Sequence, residues 1–140
     1  MSTILVNTLT GTSTAGSIAV TGEGNSTTTN LQQGLAKAWG HLAAGGASLP
    51  DSFNLSSIDD DGTGEYGLNY TSAMNSDTYS ATSTINFNHA SNNNTRHLVI
   101  DDKATGSVEV DGGYTAGSTS HFTAYDIETT GSVVVHGDLA

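Results

Sequence analysis

Four carboxylates fall within seven residues at Asp59-Asp60-Asp61-Gly62-Thr63-Gly64-Glu65, the densest acidic stretch of the chain. Carboxylates gathered this closely are the oxygen ligands that a hard cation such as calcium takes. An EF-hand loop places its acidic ligands at alternate positions before the glycine, whereas here Gly62 directly follows a contiguous run. Asp-Gly is also a strong turn signal, so the stretch reads as a solvated hairpin turn, with calcium binding left open. Asp101-Asp102 is a second acidic pair and takes the same reading. The histidines are His41, His89, His97, His121 and His136, and no HExxH or close pair occurs among them. His97 and His121 could meet across strands. Serine and threonine are so abundant that a Ser–His–Asp set can be imagined almost anywhere, and no G-x-S-x-G elbow singles one out. Two carboxylates for glycoside hydrolysis cannot be placed on a defined cleft. Gly11-Thr-Ser-Thr-Ala-Gly16 lacks the lysine of a phosphate loop. With no cysteine there is no thiolate nucleophile, thiolate zinc site or disulfide. The expectation is a non-enzyme with no catalytic residues, no cofactor and no metal. Asn-x-Ser/Thr occurs at Asn25, Asn54, Asn69 and Asn93, as chance hits in so Ser/Thr-rich a chain.

Charge narrows the partners. The chain has 140 residues, three Lys or Arg, fourteen Asp or Glu and a formal net charge of −11. Phosphate neutralisation needs clustered cations, so nucleic acid is not an expected partner. The same deficit argues against an anionic membrane surface, and no apolar run approaches the roughly 20 residues of a spanning helix. Met1-Ser-Thr-Ile-Leu-Val-Asn7 has neither a basic n-region nor a long apolar h-region, so synthesis in a cytosol without secretion is expected.

The elements that position any site must come from a lean composition. Ile, Leu, Val and Phe number 27 of 140, about 19%, which with high net charge borders on disorder. Against that, there is one proline, and charged residues are only 12%. Ser, Thr, Asn and Gly make up 66 residues, the composition of short strands and tight turns. Residues 3–10 read as an apolar strand and Ile18–Val20 as a second. Gly22–Asn30 reads as a linker. Asn30–Trp39 is the one helix candidate, with Asn30 as N-cap and Leu31, Leu35, Ala38 and Trp39 on one face. Gly34 weakens it by about 1 kcal/mol. Trp39 suits either an interface anchor or a core residue at the helix-to-sheet junction.

Beyond Trp39 the apolar period becomes two. Phe53 and Leu55 alternate, then Tyr66, Leu68 and Tyr70, then Tyr79, Ala81, Ser83, Ile85 and Phe87. Asn86–Thr95 reads as an Asn-rich loop. Strands are predicted at His97–Asp101, Ser107–Val110, His121–Ile127 and Ser132–His136, with turns at Asp59–Gly64, Asp111–Gly113 and Thr129–Gly131. Short strands at roughly ten-residue spacing predict an all-β fold: an antiparallel β-sandwich or jelly roll. The expected organisation is a docking arm and linker at 1–30 and a sandwich domain at 31–140, with at most one short helix.

One stretch resembles a known module. It comprises Gly34-Leu-Ala-Lys-Ala-Trp39, Asp51-Ser-Phe-Asn-Leu-Ser-Ser-Ile58, Asp61-Gly-Thr-Gly-Glu-Tyr66, Asn69-Tyr-Thr-Ser-Ala-Met74 and Tyr79. In joint spacing it resembles a module of tailed-bacteriophage virion proteins, seen especially in marine and cyanobacterial phages and often labelled tail fibre or structural protein. The opening Met-Ser-Thr-Ile-Leu-Val-Asn-Thr-Leu9 is similar to the start of such proteins. The segment His41–Ala47 departs from the pattern, and the half from Asn86 carries none of it. The resemblance implies a β-rich, trimer-prone piece of a virion and supplies no catalytic residues. With one arm and one domain, the expectation is a homotrimeric capsid decoration (cement) protein on the virion surface, bound to the major capsid protein and made in the bacterial host cytoplasm. The alternative is a tail-fibre or fibre-tip subunit that contacts host glycans through the loops at 86–95 and 112–120. Candidate docking and oligomer contacts are Ile4, Leu5, Val6, Leu9, Ile18, Val20, Leu31, Leu35 and Trp39.

Overall fold

A computed structural model describes residues 3–11, 18–21, 28–46, 48–86, 94–116 and 121–140. The chain divides into two compact units, Met1–Leu35 and Ala36–Ala140.

In the first unit, residues 3–10 form no strand, contrary to expectation. An apolar run such as Ile4-Leu5-Val6 needs a neighbouring ladder to become a strand, and none of the described residues supplies one here. Strand β1 (Ala19–Thr21) pairs antiparallel with β2 (Thr28–Asn30). The expected linker therefore ends in a strand. The Leu31 amide donates to the Ile18 carbonyl at 2.8 Å and closes this hairpin.

The predicted ten-residue helix is overturned. Only Leu31–Gly34 (α1) is helical. Strand β3 (Ala38–Leu42) begins four residues later, and it turns Ala38, Gly40 and Leu42 inward with period two. Gly34 costs the helix about 1 kcal/mol, and a helix this short has too few bonds to absorb that. The inward position at Gly40 leaves no room for a side chain. A Cβ there would lie 2.6 Å from Leu55 Cδ1 and 3.1 Å from Leu49 Cδ2. The core side chains occupy the space a larger residue would need.

The second unit is an antiparallel all-β sandwich. One sheet has the order β4-β3-β11-β7, where β4 is Asp51–Phe53, β7 Ser80–Ile85 and β11 Gly131–His136. In the other, β5 (Leu55–Gly62) pairs with β6 (Glu65–Tyr70), β6 with β9 (Ser107–Ala116), and β9 with β8 (Asn94–Lys103). β10 (Phe122–Ala124) takes over the β6 edge of β9: β6 pairs with residues 107–111 and β10 with 113–115. That transfer corrects the turn predicted at Asp111–Gly113. The chain runs straight through, and the double glycine serves close approach. A Cβ on Gly113 would lie 2.4 Å from the Phe122 ring. Likewise the turn predicted at Asp59–Gly64 shrinks to Thr63-Gly64, with Gly64 at φ +78°, because β5 continues to Gly62 through a bulge. Asn94 and Thr95 belong to β8 rather than to a loop. Phe87 and residues 88–93 lie outside the described residues.

Leu42, Tyr66, Leu68, Met74, Val108, Val110, Ile127, Val133 and Val135 are fully buried between the sheets. Each such side chain contributes about 1.5–3 kcal/mol of transfer free energy.

The crossing between sheets is held at Asn54, which separates β4 from β5 at φ +57°. Its side-chain amide donates to Lys37 O and Ser72 O, each at 3.0 Å, and its Oδ1 accepts from the Ser72 amide at 2.7 Å. Asparagine tolerates the left-handed region better than most residues. Asn54→Ala should destabilise the fold by about 2–4 kcal/mol, combining left-handed strain with three lost bonds. Asn54→Gly should recover only the backbone share, about 1 kcal/mol. Urea midpoints of the three proteins check this; equal midpoints for alanine and wild type would refute it.

Candidate functional site

The outer face of the four-stranded sheet gathers aromatic and polar side chains. Strand alternation sends Trp39 and His41 of β3 and Ser132 and Val134 of β11 outward, opposite their buried neighbours. Register then builds two rows. Trp39 pairs with Phe53 on one side and Val134 on the other, and His41 pairs with Asp51 and Ser132. One row is apolar and the next polar, about 7 Å along the strands. His41 Nδ1 lies 3.5 Å from Ser132 Oγ. Trp39, His41, Asp51, Ser132 and Val134 line a shallow depression of about 450 Å³.

Asp51, His41 and Ser132 are the residue types of a hydrolytic triad, but the setting differs. Ser132 sits mid-strand, paired with His41 on one side and Thr84 on the other. The ladders on both sides take up the surrounding backbone amides, which an oxyanion hole would have to leave free. The arrangement suits binding.

The outer face of the other sheet is acidic. Asp59 Oδ2 accepts from Asn69 Nδ2 at 2.7 Å. Asp61 and Glu109 lean over Gly67, whose missing Cβ would sit 3.1 Å from an oxygen of each. Among the described residues, no three His, Asp or Glu are grouped to hold a metal ion. Strand alternation is the reason the acidic run forms no chelating loop: its members lie along an edge strand. Burial, and then the charges of Asp61, Asp102 and Asp59, raise the Glu109 carboxyl above its ordinary value, against a lowering by Ser107. Burial and the charges of Asp101 and Glu65 raise Asp111.

The chain's one arginine works internally. Arg96 lies 4.6 Å from the Tyr125 ring centre and 5.2 Å from that of Tyr114, and it reaches Glu128 at 2.8 Å. Tyr125 donates to the same carboxylate at 2.8 Å. The adjacent cavity, about 30 Å³, has room for about one water. His97 Nε2 is 3.1 Å from Thr115 Oγ1 and its ring tilts against Phe122, while His121 is exposed.

Of the docking candidates, Ile4, Leu5, Val6, Leu9, Val20 and Leu35 are exposed, and Ile18 and Leu31 are half-buried. Trp39 does not share a helical stripe with Leu31 and Leu35. It belongs to β3, half-buried on the outer face. Sequence reasoning missed the His41–Asp51–Ser132 row. The alternation in Ala38-Trp-Gly-His-Leu42 was the signal available, and the helical spacing masked it.

The raised carboxyls set a pH dependence. Their folded values exceed the unfolded ones, so the fold takes up protons ahead of the unfolded chain as pH falls. Their contribution therefore rises from neutral pH through the folded values and levels off below the ordinary 4.5 of Glu109 and 3.8 of Asp111. Glu109→Gln should raise the urea midpoint at pH 7 and flatten the gain between pH 7 and 4.5. A lower midpoint at pH 7 would contradict the assignment.

No family model, curated protein or solved structure matches the chain.

Proposed function

We propose that this chain is a non-enzymatic structural subunit of a tailed-bacteriophage virion, acting as a homotrimeric decoration protein on the head exterior and docked on the major capsid protein. The observation that carries the reading is the apolar arm. Ile4 and Leu5 are 85% and 90% exposed, and Val6 and Leu9 are 60% exposed. At about 25 cal/mol per Å² of apolar area, covering such a segment on a neighbouring subunit yields several kcal/mol. An extended segment of this kind suits strand addition onto a partner's sheet edge. The resemblance of the 34–79 stretch supports the virion context. The cations support a protein rather than a nucleic-acid partner: Lys103 donates to Tyr79 O at 2.9 Å, Arg96 is clasped by Glu128, and Lys37 is buried. The subunit would be made in the host cytoplasm and end on the virion surface.

The alternative, a tail-fibre or fibre-tip subunit binding a host receptor, draws support from the aromatic and polar depression on the four-stranded sheet. Copy number separates the two. A decoration protein is present in hundreds per particle and a fibre in tens, as orders of magnitude set by symmetry. A quantitative gel of purified virions reads this directly. Removing residues 3–10, or introducing Leu5→Asp with Val6→Asp, should leave the sandwich's thermal midpoint unchanged and weaken binding to empty heads by about 100-fold or more. A full-length protein that stays monomeric and ignores empty heads would sink the proposal.

A further inference from the structure

We propose that the depression between Trp39 and His41 is a binding site for a neutral saccharide, with the sugar's apolar face on the indole and its hydroxyl edge on the polar row. The proposal stands apart from the virion assignment, since it rests on this face alone.

Three features select the ligand class. The first is size. The depression is shallow and open to solvent, and its space, about 450 Å³, falls in the ~300–1,000 Å³ range of small-molecule sites. The apolar row is only three side chains wide, Phe53, Trp39 and Val134, and the face continues into exposed Ser80, Thr82 and Thr84. A stable protein interface buries about 800 Å² of surface and 20–30 residues per side, many more residues than line this depression.

The second feature is amphipathic layout. The ligand must offer a flat carbon–hydrogen surface beside a run of hydrogen-bonding groups. A pyranose ring does both. A hydrocarbon ligand would cover Asp51 and the remaining hydrogen-bonding capacity of His41 and Ser132 without offering a partner, which costs about 1–3 kcal/mol per group. The polar row supplies complementary chemistry: the Asp51 carboxylate accepts, and the Ser132 hydroxyl both donates and accepts.

The third feature is charge. No lysine or arginine lines the depression, and Asp51 sits in its wall. Phosphorylated, sulfated or acidic sugars are therefore disfavoured. A quaternary cation would find one indole and one carboxylate, not an aromatic cage.

Trp39 is the chain's single tryptophan, so its emission reports on this site alone. The test titrates the full-length protein with maltohexaose, cellohexaose and tri-N-acetylchitotriose, with choline and inorganic phosphate as charged controls. The expected result is a saturable change in Trp39 emission with at least one oligosaccharide, half-complete at about 1 mM or below, and none with the controls. His41→Ala combined with Ser132→Ala keeps the reporter and should weaken binding about tenfold. Trp39→Ala, followed by calorimetry, should abolish binding. Trp39→Tyr retains a ring and should bind more weakly, which keeps the test open if the alanine variant does not fold. A folded protein with no saturable response to any of the three sugars at about 50 mM would overturn the proposal. So would an affinity unchanged in the double variant, or a saturable response to choline or phosphate instead.

Discussion

The sandwich closes on the ring of Tyr66. The residue sits on β6, which pairs with β5 on one side and β9 on the other, and its side chain crosses the gap between the sheets. Gly46 lies against the ring so closely that any Cβ there would overlap it. The Tyr66 hydroxyl accepts the buried amide of Ile127 at 3.1 Å. One side chain therefore fixes the 43–46 turn, the central strand and the segment before β11. Burial raises its hydroxyl pKa, as it does for Tyr70 and Tyr79. Tyr79 extends the same device, its ring edge to face with Tyr70 at 5.9 Å and its hydroxyl donating to Ser107 O on β9 at 2.7 Å. Tyrosines supply volume and a polar tip that ties one strand's backbone to another. This is how a chain with only 27 Ile, Leu, Val and Phe fills a core.

That same economy determines how much was legible beforehand. The all-β antiparallel fold and strands β6, β7 and β11 were readable, because their inward residues alternate without a glycine at a decisive place. Where glycine stands for close approach, local signals misled. Gly112-Gly113 reads as a turn, yet its missing side chains admit Ile127 and Phe122 while β9 runs straight on. Gly40 conceals the inward rhythm of β3, so Trp39 looked like the end of a helical stripe. The candidate site was harder still. Asp51 lies ten residues from His41 and Ser132 lies 91 away, and only the β4-β3-β11 pairing brings them into a row. No local spacing encodes such a row. It is a product of topology.

The two outer faces diverge for an electrostatic reason. All three cations are drawn into contacts of the folded unit: Lys37 is buried, Lys103 lies over Tyr79, and Arg96 is held by Tyr114, Tyr125 and Glu128. Little positive charge remains to balance Asp59, Asp61, Glu65, Glu109 and Asp111 across the five-stranded sheet. Glu109 and Asp111 are raised first by burial and further by their acidic neighbours, a cost the fold carries. The unbalanced charge also gives that face a strong bar against self-association. The four-stranded sheet, with Asp51 as the carboxylate in its aromatic and polar rows, is the face left suited to an uncharged ligand.

The placement of apolar residues completes the argument. Eight of the 27 Ile, Leu, Val and Phe lie before residue 36, and all five tyrosines lie after it. The sandwich thus satisfies its core from its own 105 residues, 36–140, and owes nothing to Ile4, Leu5, Val6 or Leu9. An exposed run of large aliphatics is a hazard to a free protein, because it invites indiscriminate association. In this chain a charge of −11 opposes that hazard at long range, while leaving short-range apolar contact available once a specific surface overcomes the repulsion. Under the proposed function, association would run through the exposed apolar residues of the arm, where short-range contact meets the least charge, rather than through the acidic face of the sandwich.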